Sequence, residues 1–83
     1  MPVVVREGGF IVRLYGAPRE HPPAHVHVHH GREGLVIVRL GMPGSPPEVW
    51  RVYQMKYRDV LRAYQIVKSH NDLIYQVWRS LHE

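Results

Sequence analysis

Residues Ala24-His25-Val26-His27-Val28-His29-His30 alternate apolar side chains with imidazoles directly after Pro22-Pro23, and this tract constrains the chain more than any other. Strict alternation has the period of a β-strand, not that of a helix. The facing of the strand then follows from cost. Turning His25, His27 and His29 inward would bury three rings without partners at about 1–3 kcal/mol each, so Val26 and Val28 are expected to face the core. The three imidazoles then line the opposite side. Gly31 closes the strand, and the three prolines between Gly16 and Pro23 hold the preceding segment as an extended loop, because proline offers no N–H and disfavours helix before it.

Other segments read by the same rules. Gly8-Gly9 opens Phe10-Ile11-Val12-Arg13-Leu14-Tyr15, a run of β-branched and aromatic residues that ends at Gly16. Gly31-Arg32-Glu33-Gly34 is a hairpin loop into Leu35 to Leu40, and Gly41 to Pro47 leads into Glu48-Val49-Trp50-Arg51-Val52-Tyr53. After residue 55 the period changes. Tyr57, Val60, Tyr64, Val67, Ile74, Trp78 and Leu81 step by three and four, with Asn71 in the one polar slot, so the segment is helical. A single helix over 56–82 would be about 40 Å long, more than a domain of this size spans. The break is expected at Ser69-His70-Asn71-Asp72, with Asn71 capping the second helix; one long helix paired with a second subunit is the alternative.

The expected architecture is one α+β domain over residues 1–83. It is a four-stranded antiparallel meander, strands about 9–15, 24–30, 35–40 and 48–53, with one or two C-terminal helices, about 56–69 and 71–82, packed on one face. Alternation sends Phe10, Val12, Leu14, Val36, Val38, Leu40, Trp50 and Val52 inward with Val26 and Val28, and it assigns Tyr57, Tyr64 and Trp78 to the core. The reverse face then collects Ile11, Arg13, Tyr15, the three histidines, Leu35, Ile37, Arg39, Val49, Arg51 and Tyr53. Such a mixture of aliphatic, aromatic and cationic groups is unusual on a surface left in water.

Composition narrows the chemistry. The chain has no cysteine, which removes disulfides, thiolate nucleophiles and every cysteine-based metal site. Any metal must be held by histidine and carboxylate. Eleven Lys and Arg against seven Asp and Glu give a formal charge of +4, spread evenly over both halves without a basic run, which argues against strong nucleic-acid binding. No apolar run approaches a membrane span, and the N-terminus lacks a signal-peptide pattern, so a cytoplasmic protein without membrane contact is expected.

Three readings of the histidine tract follow. The first is an association surface, in which Ile11, Leu35, Ile37 and Val49 are covered by a second copy or a different small protein, and Arg13, Tyr15, His29, Arg39, Arg51 and Tyr53 complete the binding face. The second is a divalent-metal site for zinc or nickel. Alternate histidines on a strand stand about 7 Å apart and two rings can meet at one ion, with His25 and His27 as the pair and His21 as third ligand. In the third, paired histidines with arginine cleave RNA without metal. No serine-histidine-aspartate grouping or phosphate-cradling loop is present, and the balance falls against an enzyme and on association, with no cofactor required.

Met1-Pro2, Val4, Arg6, the pair Gly9-Phe10, the block Glu20-His21-Pro22-Pro23-Ala24-His25-Val26-His27-Val28 and the late Trp78 together resemble a small bacterial family known as domain of unknown function 4160. The similarity covers nearly the whole length and singles out His21, Pro23, His25 and His27 as the shared motif. The resemblance implies a protein of toxin–antitoxin-like size with a regulatory role and a small partner encoded beside it. It assigns no activity to the motif.

Overall fold

The computed structural model describes residues 3–16, 22–42 and 44–82. Five strands come first: β1 (Val3–Glu7), β2 (Phe10–Arg13), β3 (His25–His30), β4 (Gly34–Arg39) and β5 (Glu48–Tyr53). Helices α1 (Tyr57–Ser69) and α2 (Asn71–His82) follow. The strands form one antiparallel meander in the order β1-β2-β3-β4-β5. The sheet therefore has five strands rather than the expected four. The additional strand is β1, joined to β2 by Gly8-Gly9, whose φ angles of +54° and +85° are the left-handed pair that a two-residue hairpin demands.

The helices close one face. Phe10, Val12, Leu14, Val26, Val28, Val36, Val38 and Leu40 are buried there against Ala63, Ile66, Val67, Ile74 and Trp78. The predicted facing of β3 therefore holds. The apolar stripes of α1 and α2 are both spent on this single layer, which leaves neither helix free to cover the reverse side.

Three inward assignments fail. Trp50 is 42% exposed and Val52 44%, whereas Val49, expected on the reverse face, packs against the core. The cause is a shift of register between Ile37 and Val38: Val38 pairs with Val49 and Ile37 with Arg51, so Trp50 is an extra residue in β5. Such a bulge re-aims the side chains beyond it. Tyr57, on the helical stripe, is 78% exposed because it stands at the first residue of α1, beyond the layer that the sheet covers. Tyr64 is half-buried instead of fully buried, and its hydroxyl donates to Pro47 O at 2.9 Å, tying α1 to the start of β5.

Asn71 also departs from expectation. Its side chain does not cap α2. Oδ1 accepts from Gly41 N at 2.7 Å and Nδ2 donates to Gly41 O at 3.0 Å, so the amide reads both backbone groups of one residue. Gly41 is held so tightly that a Cβ there would stand 2.7 Å from Ser45 O. The helices do separate here, with His70 N–H satisfied by Ile66 O and Val67 O. The polar slot in the helical stripe thus clamps the β4–β5 connection, at a loss of about 1–3 kcal/mol if one partner of the buried pair is removed.

Candidate functional site

The reverse face of the sheet carries no covering element among the described residues, and the strand registers arrange its side chains in rows. One row runs Arg6, Ile11, His29, Leu35, Tyr53. The next runs Arg13, His27, Ile37, Arg51. The third begins with His25 and Arg39 and reaches Glu48. The residues named from the sequence as a binding surface, Arg13, Tyr15, His29, Arg39, Arg51 and Tyr53, lie on this side with His25 and His27. Ile11, Leu35 and Ile37 are half-buried by their neighbours, while Arg51 and Tyr53 are exposed. His21 lies outside the described residues.

Cations dominate the face, but they are not equivalent. Arg39 is engaged locally: Nη1 donates to Leu40 O at 2.9 Å, Nη2 to Pro46 O at 3.2 Å, and Nε meets Glu48 Oε1 at 3.4 Å. It fastens the β4–β5 loop and neutralises the carboxylate of its row. Arg6, Arg13 and Arg51 have no carboxylate partner among the described residues, so the face keeps a net positive field.

The centre of the face holds an unusual pair. Arg13 Nε and His29 Nε2 are shut off from solvent and have no hydrogen-bond partner among the described residues. Leaving such atoms unpaired is costly, and a ligand that completes them recovers that cost. Burial first, and then the Arg13 guanidinium, hold the His29 pKa below the ordinary value of 6.5. His29 therefore stays neutral near pH 7 with an imidazole nitrogen ready to be satisfied from outside.

At the other end of β3 the rings form a continuous chain. Tyr15 lies 4.9 Å from His27 between centroids, His27 lies 5.7 Å from His25, and His25 contacts Trp50 at 5.6 Å and Trp78 at 5.2 Å. Trp78 in turn stacks on His82 at 3.8 Å. His25 Nδ1 lies 2.9 Å from Pro23 O, and since a carbonyl only accepts, Nδ1–H is the donor and Nε2 keeps its lone pair. The sequence marked His25 but not its partners Trp50 and Trp78, because a strand and a distant helix meet here only through tertiary packing. A groove of about 330 Å³ beside this cluster lies between Pro22-Pro23, Met42 and the α2 residues Tyr75, Trp78 and Arg79.

Among the described residues no group of three or more His, Asp or Glu side chains is arranged to hold a metal ion. His30, the remaining histidine of the tract, is part of the packing. Its ring stacks on Phe10 at 4.1 Å, its Nδ1 donates to Gly9 O at 3.2 Å, and its Nε2 is 3.8 Å from Asp59 on α1. No described helix is long and apolar enough to cross a membrane. A family model for a domain of unknown function matches residues 9–79, which include every strand after β1 and most of both helices. Comparison with curated proteins and with solved structures gives no match.

Proposed function

The chain belongs to the family of domain of unknown function 4160, whose description names no activity, and on that premise we propose a function from geometry: it is a protein-association module that receives an acidic partner protein on the open face of its sheet. The observation that supports this reading is the face itself. An aliphatic band of Ile11, Leu35 and Ile37 is framed by Arg6, Arg13 and Arg51, and at its centre Arg13 Nε and His29 Nε2 lack partners among the described residues. Apolar area there supplies affinity, and the cations set orientation and on-rate. A carboxylate from outside would complete both the guanidinium and the imidazole.

The test is co-expression of the untagged chain with the small proteins encoded beside it, followed by size-exclusion chromatography with light scattering. The expected result is a stoichiometric complex that weakens as salt rises and is lost in Ile37→Glu and Arg13→Glu, with far-UV circular dichroism unchanged. A complex untouched by both substitutions would sink the reading.

A divalent-metal site on His25 and His27 is the second reading, favoured by their 5.7 Å ring separation and by the carbonyl of Pro23 that fixes His25 with Nε2 free, an arrangement common behind metal ligands. His21 would be the third ligand. Calorimetric titration with zinc and with nickel is expected to give one site that disappears in His25→Ala/His27→Ala; no heat from either ion removes this reading.

A further inference from the structure

Trp50, Val52, Tyr53, Tyr57 and Leu61 are large hydrophobic side chains that remain exposed, and all five belong to β5 or to the first two turns of α1. Val52 is the informative one. Its register sets it opposite Val36, on the side the helices cover, yet Val36 is 0% exposed and Val52 is 44%. The core thus ends one strand before the sheet does. β5 is also the last strand, so its outer N–H and C=O groups face no other strand among the described residues.

α1 extends the same strip. The Tyr64 hydroxyl bonded to Pro47 identifies the flank of the helix turned toward β5. At about 100° per residue, Tyr57 and Leu61 lie within roughly 60° of Tyr64 on that flank. The opposite edge differs. In β1, Val4 and Val5 pack against the core and the exposed end carries Arg6 and Glu7, charges of the kind that discourage edge pairing.

We infer that a second copy of this chain pairs along β5, antiparallel about a two-fold axis, with Tyr57 and Leu61 of each copy closing over the seam. The bulge makes the strand complementary to itself. Val49 and Val52 face the helices while Glu48 and Tyr53 face the open side. Reversing the strand about the Trp50–Arg51 bond sets Val49 opposite the partner's Val52 and Glu48 opposite the partner's Tyr53, so each of these pairs shares a side. Without the extra residue, the same reversal would oppose inward and outward side chains.

Charge agrees with this register. Arg51 falls on the diagonal from the partner's Glu48, a spacing of about 7–8 Å that long side chains bridge. The five exposed side chains present on the order of 500 Å² per copy, so a symmetric pair reaches the ~1,000 Å² that a specific interface needs. The open face is left free, and two copies join into one ten-stranded sheet. This inference deepens the association reading by naming a second copy as one partner, and it uses a different surface, so the two fail separately.

Sedimentation equilibrium of the full chain over a range reaching about 100 µM is expected to show a monomer–dimer equilibrium. Val52→Lys and Leu61→Glu, both at exposed positions, are expected to weaken it at least about tenfold with circular dichroism unchanged, whereas Ile37→Glu leaves it intact. The chain has no cysteine of its own, so the register has a direct readout. Oxidising a mixture of the single variants Val49→Cys and Val52→Cys is expected to yield mainly the mixed disulfide dimer. A chain that stays monomeric overturns the inference, as does a dimer lost in Ile37→Glu but not in Val52→Lys and Leu61→Glu. Predominantly like-with-like disulfides overturn the register.

Discussion

The two faces of the sheet are made of alternate residues of the same strands and end in different surroundings. Val12, Val28, Val36 and Val38 disappear under the helices, while Ile11, Leu35 and Ile37, no less apolar, stay half-exposed one residue away. Side-chain hydrophobicity therefore does not decide which face is the core. The supply of covering elements does: helices of 13 and 12 residues each bury one stripe, and both stripes are used on the same side. The polar residues record the outcome, since imidazoles and guanidinium groups stand only where solvent or an outside chain can reach them.

Substitutions of matched chemistry on the two sides break or sharpen that contrast. Ile74→Ala removes a fully buried side chain from α2 and is expected to lower the unfolding free energy by about 2–5 kcal/mol, the transfer cost plus that of a cavity. Ile37→Ala on the open face removes the same atoms but is expected to lower it by less than about 1 kcal/mol, because little new cavity is enclosed. Urea denaturation of both variants beside the parent chain measures the pair. Equal losses would mean that the open face is packed as a core, and the comparison would collapse.

The buried face was readable from sequence because β3 alternates valine with a residue that is expensive to bury, and one such strand orients its neighbours through the ladder. The same logic failed in β5. A bulge is one extra residue with no compositional mark, so counting by twos from Glu48 sent Trp50 and Val52 inward and Val49 outward, against the observed register. β1 was missed although a signal existed: Val3-Val4-Val5 and Phe10-Ile11-Val12 flank a two-glycine turn, the pattern of a tight hairpin. Asn71 was legible as an interruption of the helical stripe but not as the clamp on Gly41, since nothing local indicates which loop a buried amide will meet. On the open face, the histidine row could be read in advance. The contacts of His25 with Trp50 and Trp78 could not, because they join three separate elements.

The smallest expected effect tests the open face most directly. His29 lies between Ile11 on β2 and Leu35 on β4, with Arg13 diagonal to it on β2 and His27 next on its own side of β3. None of these is an acid. Burial chiefly, and the Arg13 guanidinium second, hold its pKa below 6.5, so as pH falls through 6.5 the unfolded chain takes up a proton that the folded chain still resists. The unfolded state then binds more protons, and stability declines from 6.5 toward the lower folded value; above 6.5 both states are neutral and the contribution is fully present. Urea midpoints at about pH 7.5 and about pH 5.5 are expected to differ, with part of the difference removed in His29→Gln, the other histidines supplying the rest. Equal pH dependence in the two chains would place His29 in ordinary solvent and dissolve the distinction between its site and any exposed strand position. A carboxylate laid over the face by an acidic partner acts in the opposite sense, favouring the protonated ring, so in the complex this contribution of His29 shrinks or reverses. The same variant measured with and without the partner thus separates a face that is open from one that has been closed.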